Sequence, residues 1–239
     1  MVIARRRVTC RGNRTRLTGC FGQFIRGALR APLLCAGSDV TDREMWDLAV
    51  AALRAEYAAL SPSRRSAIKA LVEEVKGCKR ELHAIVERVC AGEICASCGG
   101  ECCLTGKFHV TVVDLLVYMA EGRELFTPEY GRELCPYLGE GGCFMASAFR
   151  PFNCTTFNCE RVEWLLEPGD KELFQLRERK LRALYRQFEE KFGNRFMGGV
   201  LLNCERDILR DRLPILRGES ADRKGCRAKG GIDPAEPLP

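Results

Sequence analysis

Residues 61–89 read SPSRRSAIKALVEEVKGCKRELHAIVERV. Apolar side chains recur at Ile68, Leu71, Val75, Cys78, Leu82, Ile85 and Val89, in alternating steps of three and four. That is the spacing of a helix burying one seam against another helix. Ser61 reads as its N-cap and Pro62 as its first residue, where a missing N–H costs nothing. Upstream, Thr41-Asp42-Arg43-Glu44 has the pattern of a capping box. Trp46, Ala49, Leu53, Tyr57 and Leu60 form a stripe along the helix that follows. Together the two segments predict an N-terminal antiparallel helical hairpin. Cys78 lies on the seam and is expected to be core rather than ligand.

Downstream, Gly92 closes the long helix and a cysteine-rich segment begins. Phe108 to Val113 is short and β-branched, with extended character. Asp114 to Glu121 reads as a short helix closed by Gly122. Residues 123–160 are rich in Gly, Pro, Asn and Phe without a sustained period, and a stretch of this kind needs something besides secondary structure to order it. Asp170 opens an amphipathic helix with Phe174, Leu181, Leu184, Phe188 and Phe192 on one face, closed by Gly193-Asn194. Its basic and acidic residues interleave, which reads as a solvated face. A weaker helix covers Gly199 to Leu209, and residues 211–239 read as a flexible tail. The expected fold is mainly α, with a helical hairpin, a loop-rich cysteine metal module at 90–165 and a C-terminal amphipathic helix. Residues 40–210 are expected to form one domain.

The 239 residues carry a formal net charge of +6, unevenly spread. Residues 1–38 hold eight arginines and no acid, leaving 30 basic against 32 acidic residues elsewhere, a net of −2. The body is therefore no strong polyanion binder by charge. Residues 1–39 read as a disordered Arg-rich segment. They suit a nucleic-acid-binding arm, a transit peptide or untranslated upstream sequence, with initiation near Val40 the preferred reading. No apolar run approaches the roughly 20 residues of a membrane-spanning helix, so no membrane partner is expected. Arg26 and Arg30 interrupt the one stretch resembling a signal-peptide core, and the expected location is cytoplasmic.

Fifteen cysteines in a reducing compartment favour metal binding over disulfides, and nine of them fall between Cys90 and Cys159. Cys95 and Cys98 have the Cys-x-x-Cys spacing that lets two thiolates reach one metal. Cys102 and Cys103 adjoin and rarely serve the same tetrahedral ion, so two sites meet there or one thiol is spare. Cys135 and Cys143 flank a glycine-rich loop able to fold the second back toward the first. Cys154 and Cys159 are spaced so that a turn or irregular helix aims both inward. These eight cysteines divide into two four-thiolate sites, the closed coordination of structural zinc and of common iron–sulfur clusters. Cys90 extends the series toward a plant-type ferredoxin spacing, but belongs to the end of the long helix. Of the two histidines, His83 reads as a helix residue and His109 as an alternative ligand. So little histidine argues against His-rich catalytic zinc and against Ser-His-Asp or Cys-His catalysis. Cys95-x-x-Cys98 does not open a helix in a βαβ pattern, which argues against a disulfide oxidoreductase.

The ordered set Cys95-x2-Cys98-x3-Cys102-Cys103, Cys135-Pro136-Tyr137-Leu138, Gly142-Cys143, Arg150-Pro151-Phe152-Asn153-Cys154 and Cys159 resembles the CxxCxxCC family of zinc- or iron-chelating proteins. The likeness spans about residues 90–165. Three residues precede the double cysteine here, where the family name implies two, and Thr155 stands where a basic residue is expected. The resemblance implies an iron–sulfur cluster, preferred, or zinc, with a redox or protein-modification role and an unidentified protein or redox partner. One branch is associated with flagellin lysine N-methylation, which makes an S-adenosylmethionine-dependent protein lysine methyltransferase the enzymatic alternative. A zinc-stapled interaction module, reaching nucleic acid only through residues 1–39, is the third reading. The Arg150-Pro151 match implies that Arg150 supports the ligand loop, pairing with a carboxylate or carbonyls or donating toward thiolate sulfur.

Overall fold

The computed structural model describes residues 40–98, 106–126, 128–130, 135–139 and 142–217. The chain divides into Met1–Asp39 and Val40–Pro239, and every described residue belongs to the second unit. The expectations for residues 1–39 and 218–239, and for Cys102 and Cys103, lie outside the described residues.

Helix α1 (Asp42–Ala59) starts on a capping box, with Thr41 Oγ1 accepting from Glu44 N at 3.2 Å and Glu44 Oε2 accepting from Thr41 N at 2.9 Å. Its stripe buries Trp46, Ala49 and Leu53. Helix α2 (Pro62–Glu87) starts on Ser61, whose hydroxyl accepts from Arg64 N. Ile68, Val75, Cys78, Leu82 and Ile85 of the seam are buried, whereas Leu71 and Val89 are half-buried and Val72 goes inward instead.

The partner of that seam differs from the expected hairpin. Its main neighbour is α7 (Pro168–Phe192), with the two running antiparallel. Arg88 pairs with Asp170, Glu81 with Arg177, and Arg64 lies over the Phe192 ring, so ascending numbers on one helix meet descending numbers on the other. The Cys78 thiol donates to Arg177 O across this interface at 3.2 Å. Pattern alone could not choose the partner, because α1 and α7 both offer an apolar stripe. Helix α7 carries the larger one, burying Phe174, Leu181, Leu184, Tyr185, Phe188 and Phe192. It stops at Gly193, whose φ of 56° is the left-handed conformation that glycine adopts without penalty.

Helix α1 instead packs on α4 (Val112–Ala120), on α8 (Val200–Asn203) and on the π-helical turn Cys204–Arg210. That turn occupies much of the region expected as a weak helix. The tail expectation is corrected for residues 211–217, where Ile215 and Leu216 are buried and donate their backbone N–H groups to Glu56 of α1 at 3.1 and 2.6 Å. Phe108 to Val113 is only partly extended. Residues Gly106–Phe108 form a 3₁₀ turn, Thr111 makes an isolated antiparallel bridge to Gly199, and Val112 already belongs to α4. The pattern missed this because Thr111 and Asp114 form a second capping box that starts the helix early. Strands β1 (Leu138–Gly139) and β2 (Gly142–Cys143) pair antiparallel, with Leu138 opposite Cys143. The molecule is mainly helical. Among the described residues, no helix is long and apolar enough to cross a membrane.

Candidate metal centre

The cysteine segment does not begin as a loop. Helix α3 (Ala91–Ser97) contains Cys95, and Cys98 is its C-cap, with its thiol donating to Cys95 O at 3.3 Å. Cys90 occupies the left-handed break between α2 and α3 at φ 55°. A spacing of three places Cys95 and Cys98 on one side of the helix. They close the helix rather than open it, and the C-terminal end of the dipole does not favour a thiolate. That geometry also argues against a thioredoxin-like reading.

Helix α3 contacts α2, β2 and α6 (Glu160–Glu163), and between these elements lies a cavity of about 660 Å³. Cys95, Cys98, Cys135, Cys143, Cys154 and Cys159 all line it. They arrive from α3, the turn before β1, β2, α5 (Phe152–Thr156) and the N-cap of α6. Cys90 does not line the cavity, Cys78 is buried at the α2–α7 interface, and Cys204 is buried elsewhere, its thiol pushed up to about 12 mainly by burial. Cys102 and Cys103 are outside the described residues.

The inner wall is close-fitting. A Cβ on Gly106 would sit 2.2 Å from Cys135 Sγ, so only glycine lets the 3₁₀ turn approach this thiol. The turn leads into His109, whose N–H donates to Gly106 O. His109 Nδ1 lies 3.2 Å from Cys154 Sγ. Burial holds the His109 imidazole below its ordinary value. Tyr137 senses the same two cysteines: burial raises its phenol, and Tyr130 and charge at Cys135 and Cys154 raise it further.

Behind this wall is a buried ion pair that the sequence reading missed. Lys79 of α2 and Asp114 of α4 meet at 2.7 Å with essentially no exposed side-chain surface. Asp114 also accepts from Tyr185 of α7 at 2.6 Å and from the N–H and hydroxyl of Thr111 at 2.9 and 2.8 Å. The Lys79 ammonium donates a further bond to Arg150 O at 2.7 Å. Four groups on the carboxylate and two on the ammonium supply what a buried charge pair requires. Two signals were present in the sequence: Thr111-Val112-Val113-Asp114 fits a capping box, and Lys79 interrupts an apolar face. Arg150 itself lines the cavity, with Nε donating to Met145 O at 3.2 Å. Lys79 therefore fixes the start of the Arg150-Pro151-Phe152-Asn153-Cys154 run from inside, and Arg150 fixes it from the cavity side.

Soft sulfur donors with one adjacent imidazole fit zinc or iron–sulfur chemistry rather than a hard cation. Among the described residues, no three His, Cys, Asp or Glu side chains are grouped closely enough to enclose an ion. The fit is therefore one of donor chemistry and shared wall. Comparison of the chain with family models, with curated proteins and with solved structures finds no match.

Proposed function

We propose that this chain is a cytoplasmic metal-binding protein whose clustered cysteines hold an iron–sulfur cluster, with zinc as the alternative. The observation that carries the reading is the convergence of Cys95, Cys98, Cys135, Cys143, Cys154 and Cys159, from separate segments, on one cavity. Packing alone gives no reason to gather so many thiols, because a cysteine in a core behaves as one small hydrophobe. Cys102 and Cys103 complete the proposed ligand set, and Arg150 steadies the loop that carries Cys154. The preference for iron–sulfur rests on the resemblance to the CxxCxxCC family. Such a cluster supplies one-electron chemistry, whereas zinc in a closed thiolate site is structural.

Anaerobic purification of the full chain followed by iron, zinc and acid-labile sulfide analysis tests the proposal. Iron with matching sulfide is the expected result. Stoichiometric zinc without sulfide overturns the iron–sulfur preference, and protein free of both metals overturns the whole reading.

The cavity volume of about 660 Å³ is within the range of sites for small organic ligands, which keeps the methyltransferase alternative in play. Titration of the metal-loaded protein with S-adenosylmethionine decides it. No binding removes that alternative.

A further inference from the structure

The cavity's cysteines are not equivalent. Cys95 is exposed and Cys98, Cys143, Cys154 and Cys159 are half-exposed, whereas Cys135 is 6% exposed and sits against Gly106. The Gly106–His109 turn runs along that inner wall and delivers an imidazole to Cys154. Metal–sulfur and metal–nitrogen bonds of about 2.3 and 2.0 Å at a tetrahedral angle put two ligands of one ion about 3.5 Å apart. The observed 3.2 Å between His109 Nδ1 and Cys154 Sγ is close to that edge.

Resting on the metal-binding reading above, we propose that His109 is a direct nitrogen ligand, sharing a metal with Cys154, so that the site is mixed rather than all-thiolate. The backbone supports this placement. Val110 O accepts from Val200 N at 2.6 Å, and the Thr111–Gly199 bridge pins the next residue. His109 therefore lies between a turn closed on Cys135 and a strand-like segment anchored to the C-terminal part of the chain. A histidine in place of a thiolate withdraws one negative charge from the site and raises the potential of an iron–sulfur cluster.

The chain has only two histidines, His83 and His109, and both line the cavity, so an imidazole signal has two possible sources. The test uses full-length protein labelled with ¹⁵N-histidine, purified anaerobically and reduced for pulsed electron paramagnetic resonance. If the metal is zinc, X-ray absorption at the zinc edge replaces it. A directly bonded imidazole nitrogen is expected in the wild type and in His83→Gln, and its loss is expected in His109→Gln. His109→Cys should retain metal, lose the nitrogen signal and, for a cluster, lower the reduction potential. Metal-loaded wild type without a bonded nitrogen overturns this inference and leaves the proposed function standing, as a mere N–H···S hydrogen bond would. A signal lost in His83→Gln but kept in His109→Gln assigns the ligand to the wrong residue and overturns it equally. Wild type without metal overturns the proposed function, and this inference falls with it.

Discussion

Lys79 carries a full charge where its side chain has no exposed surface, so its removal leaves Asp114 charged and buried beside Tyr185 and Thr111. Breaking one side of such a pair costs about 3–5 kcal/mol, and Lys79→Met is expected to lose that much in urea unfolding. Adding Asp114→Asn should recover part of the loss, because the uncompensated charge goes with it. The single variant also takes a donor from Arg150 O, so metal content should fall before global unfolding does. At Gly106 the constraint is steric. An alanine Cβ at 2.2 Å from Cys135 Sγ forces the turn or the thiol to move, at a cost of about 1–3 kcal/mol. Gly106→Ala should therefore bind less metal, with helical circular dichroism nearly unchanged.

Among the elements, helices α2 and α7 hold each other by their own apolar faces, whereas the segments around the cavity are short and irregular. Metal–thiolate bonds should thus contribute much of the free energy ordering residues 93–160. Replacing Cys98 with serine is expected to release metal and open the region near Cys135 to protease while most helicity remains. Cys78→Ser should leave metal content unchanged, since that thiol faces Arg177 O inside the α2–α7 interface. Depletion by the second variant and not the first would reverse the ligand assignment. This division also explains what was legible beforehand. Caps at Thr41 and Ser61, the stop at Gly193 and the buried stripes were readable because each is a local rule about backbone donors or periodicity. The pairing of α2 with α7 and the Lys79–Asp114 contact were not, because partners such as Cys78 and Arg177, 99 positions apart, or Lys79 and Asp114, 35 apart, leave no local trace of their meeting. Six of the cysteines singled out by type and spacing line one cavity, and Cys102 and Cys103 lie outside the described residues. The role of Gly106 was not, because a close approach appears only once both partners are placed.

Across the whole molecule, the C-terminal part of the described chain acts as a brace. Burial raises the Asp207 carboxyl, but hydrogen bonds from Arg206 and Asn194 and the charges of Arg206 and Arg217 outweigh it and hold Asp207 below the ordinary aspartate value. A carboxyl lowered in the folded state stabilises above its unfolded value, about 3.9, and that contribution is lost as pH falls through the folded value. Thermal midpoints should drop on acidification below about pH 4, and Asp207→Asn should flatten that part of the curve. Truncation after Arg210 removes buried Ile215 and Leu216, each worth about 1.5–3 kcal/mol, and is expected to lower the unfolding midpoint accordingly. Gly199 extends the same dependence to the cavity, because its missing side chain admits Phe108 O, which would lie 2.0 Å from a Cβ there. The turn presenting His109 thus rests on a residue translated long after the cysteines it serves. On the ribosome, the cysteine segment emerges first and must wait for its backing. On the proposed metal-binding reading, loading of metal is therefore expected late in the life of this polypeptide. Stalled nascent chains ending before Gly199 should take up little metal, whereas released full-length chains should take it up readily.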